Sequence, residues 1–360
     1  MDTRAVETAH PTGSARSIRP PAPPQGHGPG PVRGDGPVAP APGVVRRALR
    51  VAALAATVPY LLLKAVWLGG SRIGIPDGSV LLDPGPFFVV ANSVTLAMDA
   101  CVIVLALVLT RPWGLRVPGW SLIVPAFVAT GLLTPIVTGY PGQLLIRALG
   151  VRTDTAAARA VREPFLEPWV FDLVYGGFIV QGLALAGLFV PYARQRWGHR
   201  WQGVPGQRLP SPTGVVAGAA AVAGLVVGAT YLYWGFGGSA GLSALQRAER
   251  TADTAVVSVV HAACAFGAGL GAVSLARGRS LGRGGMRWSL AVAWTGSAAA
   301  LSWGAWLAIA ALGGEFEGAG ATSGSWLAYA GQMITGLLGV AVITRFLMAD
   351  HRARRADRPM

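Results

Sequence analysis

Eight apolar runs, each near the ~20 residues that cross a bilayer core as a helix, constrain this chain more than any other feature. They cover about 50–69, 87–110, 117–139, 168–192, 212–236, 254–276, 288–313 and 325–348. A segment in lipid must satisfy its own backbone hydrogen bonds, which leaves the α-helix or the closed barrel. No period-two alternation competes with a helical reading. The expected fold is therefore all-α, a polytopic transmembrane helical bundle of eight spans. Charged residues make up only 13% of the 360 residues, about half the ~25% usual in soluble proteins, and that deficit agrees with the runs.

The basic residues fall between the runs. Of the 30, all but Lys64 are arginines. Arg46, Arg47 and Arg50 precede the first run, and Arg111 and Arg116 separate the second from the third. Arg194, Arg196, Arg200 and Arg208 follow the fourth, Arg277, Arg279, Arg283 and Arg287 the sixth, and Arg352, Arg354, Arg355 and Arg358 the eighth. The alternate connections carry Asp77 and Asp83, Glu315 and Glu317, or the balanced set Arg247, Glu249, Arg250 and Asp253. Loops rich in arginine stay on the cytoplasmic side, so both termini are expected in the cytoplasm and the chain in the cell membrane. The net charge of +14 then matches a bilayer with an anionic cytoplasmic leaflet. Nucleic acid is not an expected partner, because the arginines form short separate clusters. One connection runs against the pattern, with Arg147, Arg152, Arg159 and Arg162. Its segment GQLLIRALG is expected to lie on the outer interface as a short amphipathic piece.

Residues 1–43 hold ten prolines and too little apolar surface to offset chain entropy, so a disordered cytoplasmic tail is expected. Within it, Arg33-Gly34-Asp35 reads as a chance tripeptide. The remaining expected divisions are a first four-helix unit over 44–192, a basic cytoplasmic linker over 193–211, a second unit over 212–348 and a basic tail over 349–360. Two tandem repeats are expected from three matches in the same order. LGGS (68–71) returns as FGGS (236–239), WSLIV (120–124) as WSLAV (288–292), and YGGFIVQGL (175–183) as YAGQMITGL (329–337). Four spans per unit make such halves parallel repeats.

The stretch ATYLYWGFGGSAGL (229–242) carries Tyr233, Trp234, Gly237 and Gly238. It resembles a small four-helix bacterial membrane family of unknown function, whose first helix ends in Tyr-Trp-x-x-Gly-Gly. That family has a histidine shortly before the tyrosine, and this chain has none there. The resemblance implies a membrane location and no chemistry. The lysine-poor, Ala/Gly/Arg/Pro-rich usage agrees with an actinobacterial-type, high-GC genome.

Motifs that carry chemistry are missing. A P-loop needs glycine before its lysine, and Lys64 follows Leu63. H-E-x-x-H, C-x-x-C and G-x-S-x-G do not occur. Only His261 of the five histidines lies in a run, too few for paired haem ligands within one chain or for an iron site of two histidines and a carboxylate. No enzyme activity, cofactor or metal is expected. Cys101 and Cys264 read as small buried hydrophobes. The small-xxx-small sets Ala263/Gly267/Gly271, Gly214/Gly218 and Gly224/Gly228 read as helix-packing surfaces, and Trp294, Trp303 and Trp306 as core or interface aromatics.

Four ionisable residues lie in the runs: Lys64, Asp99, Asp172 and His261. A lysine or aspartate at a helix centre costs ~2.5–3.5 kcal/mol on the insertion scale, so such residues are candidate sites. Gln181 and Gln332 complete the candidate set. Lys64 and Asp172 both fall about one turn inside the outer boundary, which leaves three readings: a snorkelling Lys64 flanked by Tyr60 and Trp67, a Lys64–Asp172 pair, or a substrate-facing Lys64. Asp99 and His261 occupy the second and sixth runs, and two accounts are open. Either Asp99 is protonated and bonded to a backbone carbonyl with His261 satisfying a neighbouring hydroxyl, or, given the repeat, the two line one shared proton-linked cavity. The first functional expectation is transporter-like handling of a small molecule or ion between the units. The alternatives are a module that binds a partner membrane protein and an intramembrane thiol redox enzyme.

Overall fold

Each apolar run is a helix in the computed structural model, which describes residues 42–82, 86–151, 166–198, 208–282, 285–316 and 321–356. The helices are α1 (Pro42–Leu68), α2 (Pro86–Thr110), α3 (Gly119–Ala148), α4 (Pro168–Trp197), α5 (Thr213–Gly235), α6 (Ala252–Ala276), α7 (Met286–Phe316) and α8 (Ser323–Ala356). All eight are long and apolar enough to cross a membrane, and no strand occurs among the described residues. Large apolar side chains such as Val215, Leu225, Phe236 and Leu327 point outward, as a surface facing lipid requires.

The helices run past the ends of the apolar segments. α4 continues to Trp197 and α8 to Ala356, so the expected boundaries at 192 and 348 fall inside helices. Arginine is a good helix former, and a helix need not stop where its hydrocarbon-facing part does. Residues 1–41, 199–207 and 357–360, which hold most of the expected N-terminal tail and part of the linker and C-terminal tail, lie outside the described residues. GQLLIRALG is not a separate interfacial piece. Its residues form the last turns of α3, where Arg147 pairs with Asp253 at 2.5 Å and Gln143 donates to the Asp253 carbonyl at 3.2 Å.

In the first half α1 packs on α2 and α4, and α3 on α2 and α4; in the second α5 packs on α6 and α8, and α7 on α6 and α8. The halves meet where α3 lies against α7 and α6. Gly131 makes the close approach possible, since a Cβ there would stand 2.2 Å from the Ala298 carbonyl oxygen. Two indoles donate across this seam, Trp303 to the Leu132 carbonyl at 3.1 Å and Trp294 to Thr130 Oγ1 at 3.4 Å. Both tryptophans are therefore interface aromatics.

The two halves close their first helix with the same device. Gly70 (φ 85°) and Gly237 (φ 104°) adopt the left-handed conformation that a Schellman cap uses. The bonds match: Gly70 N–H to Trp67 O and Ser71 N–H to Val66 O, against Gly237 N–H to Trp234 O and Gly238 N–H to Tyr233 O. Each tryptophan indole then donates to the carbonyl six residues on, Trp67 to Ile73 at 2.8 Å and Trp234 to Ala240 at 2.9 Å. The next turn ties to the last helix of the same half. The Gly74 carbonyl accepts from Glu167 N–H ahead of α4, and the Gly241 carbonyl from the Thr322 hydroxyl ahead of α8. In this register Gly70 corresponds to Gly237, one residue away from the alignment of LGGS with FGGS.

Candidate functional site

α1 and α2 bring a polar cluster into the interior of the first half. Tyr60 and Lys64 share a face of α1 at i, i+4, while Asn92, Thr95 and Asp99 share a face of α2 at i, i+3, i+7. Lys64 is only 3% exposed and Asp99 5%. The Lys64 ammonium donates to Asn92 Oδ1 at 2.9 Å and stands 4.5 Å from the centre of the Tyr60 ring. The opposite charge that interacts with it is Asp99, which lies beyond ion-pair contact, since Arg147–Asp253 is the one such contact among the described residues. Asp99 Oδ2 is buried without a hydrogen-bond partner.

This corrects two expectations. Lys64 does not snorkel; its ammonium turns inward to an amide, an aromatic face and the field of a carboxylate, which replace water in part. Nor does it pair with Asp172. That carboxylate is exposed on α4 and accepts the Tyr140 hydroxyl, whose ring stacks on Tyr175 at 5.1 Å. A carboxylate that already has its own donor gains little from a lysine. Asn92, Thr95 and Tyr60 escaped the candidate set, although the polar stripe at positions 92, 95 and 99 inside an apolar run was a usable signal.

The second half holds a different cluster. Gln332 on α8 and His261 on α6 do come together, with Gln332 Nε2 3.0 Å from His261 Nδ1. The Tyr231 hydroxyl donates to Gln332 Oε1 at 3.2 Å. The Tyr231 ring stacks on the imidazole at 5.0 Å, and Trp303 meets it edge-on at 5.5 Å. The amide gives to Nδ1 and accepts a phenol, so Gln332 bridges the imidazole and Tyr231. Gln181 is buried in α4, beside the first half's core residues Ala184 and Leu185.

Asp99 and His261 therefore have separate surroundings, one in each half, and the shared cavity expected of them does not form. Pairwise contacts within a half bury polar groups more cheaply than a seam built from glycine and tryptophan could. The thiols are also apart in character: Cys101 is exposed on α2 and Cys264 partly buried on α6, both free. Among the described residues no three His, Cys, Asp or Glu side chains converge as metal ligands.

Eight membrane-length helices with polar groups gathered inside each half define a multi-pass integral membrane protein. No protein family, curated protein or solved structure matches the chain.

Proposed function

We propose that this chain is a non-enzymatic, multi-pass protein of the cell membrane that handles a small polar solute or ion through the polar interior of its first four-helix half. The observation that carries this reading is the buried, unpartnered Asp99 Oδ2 in the same half as a buried Lys64. Intramembrane carboxylates of this kind mark ion and proton pathways. Protons are the simplest test ion. In proteoliposomes loaded with a pH-sensitive dye, under an imposed potassium diffusion potential, the wild type carries protons faster than empty vesicles. Asp99→Asn brings the rate to background at matched protein per vesicle. A wild-type rate no faster than that of empty vesicles would sink this reading.

A second reading is a membrane module that stabilises a partner protein. The hydrogen-bonded chain of Tyr231, Gln332 and His261 favours it for the second half, since such a buried network rigidifies the fold. It expects proton-tight vesicles and co-purification of a fixed partner.

The halves are read as tandem copies with parallel orientation, supported by the repeated Trp–Gly closure and the like order of helix packing. Both termini then lie in the cytoplasm. Topology reporters fused at the amino terminus, within 196–208 and after Arg358 should report cytoplasm, and one within 78–84 the exterior. An external signal from the 196–208 fusion would contradict the eight-span arrangement.

A further inference from the structure

At one end of the bundle, three arginines surround a single cavity. It measures about 510 Å³ and is lined by Arg208, Leu209, Gly214, Ala276, Arg277 and Arg279. The backbone that carries the arginines is pinned on each side. Leu209 N–H donates to the Ala276 carbonyl at 3.0 Å, which fixes Arg208 against the end of α6. Gly278 N–H and Arg279 N–H return to the carbonyls of Leu275 and Ser274 at 3.2 and 2.9 Å, so Arg277 and Arg279 flank a closed helix cap. Ser289, fully buried on α7, donates to the Arg279 carbonyl and accepts from Leu281 N–H, both at 3.0 Å. Three guanidiniums thus stand on fixed supports, and no carboxylate pairs with any of them among the described residues.

Position narrows the ligand. Gly214 lies in the first turn of α5 and Ala276 is the last residue of α6, so the cavity sits where two spanning segments end and lipid headgroups begin. A helix N-terminus favours an anion there, and guanidinium forks match phosphate oxygens. From Gly214 an open track runs down the outer face of α5. Apart from α5's own adjacent backbone, no atom stands within 4 Å of a Cβ built at Gly214 or Gly218, and Val222, Leu225 and Val226 beyond them are exposed. These two glycines form no helix-packing surface, and their bare backbone leaves a shallow apolar channel leading away from the basic cavity.

We propose that this cavity holds the phosphate of an anionic phospholipid whose acyl chains lie along α5 over Gly214, Gly218 and Val222. The test uses the full chain in neutral detergent, with native mass spectrometry counting retained lipid. Phosphatidylglycerol is retained about tenfold better than phosphatidylcholine of the same chain length, a ratio set by the charged contacts. Arg208→Gln/Arg277→Gln/Arg279→Gln removes that preference. Arg111→Gln/Arg116→Gln/Arg194→Gln, which deletes three other exposed arginines, keeps it. If the first triple variant is not recovered folded, its three single substitutions carry the test, each lowering retention severalfold. Equal loss in both triple variants, or equal retention of the two lipids, would overturn the site. Displacement of the lipid by millimolar inorganic phosphate would assign the cavity to a soluble anion and overturn the lipid.

Discussion

Lys64→Met is expected to destabilise the folded protein by ~1–3 kcal/mol, the usual result of removing a buried charged donor and leaving its acceptor unsatisfied. The mutant leaves the Asp99 carboxylate buried without its opposing charge and deprives Asn92 Oδ1 of the ammonium. The methionine fills the volume but solvates nothing. Thermal unfolding in a mild detergent should therefore show a clear loss in melting temperature, with lower accumulation in the membrane. The informative comparison is with two double mutants. Lys64→Met/Asp99→Leu should recover part of the loss, giving a coupling of ~1 kcal/mol or more in a double-mutant cycle. Lys64→Met/Asp172→Leu should show additive losses, because Asp172 is exposed and takes its donor from Tyr140. Coupling to Asp172 and none to Asp99 would reverse the assignment of the cluster.

Gly131→Ala carries the second large effect. The added methyl would meet the Ala298 carbonyl oxygen at 2.2 Å, its carbon at 2.7 Å and Ser302 Oγ at 2.4 Å. Two of these atoms are backbone and cannot swing aside, so α3 must move away from α7. Overpacking of this kind costs ~1–3 kcal/mol and occasionally more. The displaced seam also weakens the Trp303 and Trp294 bonds that cross it. Gly218→Ala is the control, since nothing but α5's own adjacent backbone lies within 4 Å of its Cβ. A better helix former at an open position should be neutral or mildly stabilising, by up to ~1 kcal/mol. Equal losses in the two variants, read by thermal unfolding, would mean that close approach at Gly131 does not hold the halves together.

The contrast between Gly131 and Gly218 shows where sequence reading stops. Gly214/Gly218 and Gly224/Gly228 have identical spacing, yet only the second pair is a packing surface. A Cβ at Gly224 would stand 2.5 Å from the Ala265 carbonyl oxygen, and one at Gly228 2.2 Å from the Phe266 ring. Spacing fixes which residues share a helix face; it says nothing about what that face meets. Gly131 belonged to no small-xxx-small set in the sequence reading, although it sits at the contact between the halves.

The eight helices themselves were legible in the chain, because bilayer length and backbone self-satisfaction act on each segment alone. So was the presence of Lys64, Asp99, Asp172, His261 and Gln332 as polar groups inside the spans, since each stands out against an apolar run; that Lys64 is buried and Asp172 exposed was not. Nor was their pairing. Depth along the membrane allowed Lys64 to meet Asp172, and the repeat allowed Asp99 to meet His261. Rotation about each helix axis chose otherwise, turning Lys64 towards Asn92 and Asp99 and His261 towards Gln332 and Tyr231. That rotation is set by how whole faces interlock, with the Trp67 and Trp234 closures and the Gly131 contact fixing it. A single segment's hydropathy contains depth and length, whereas azimuth exists only once neighbouring helices have packed.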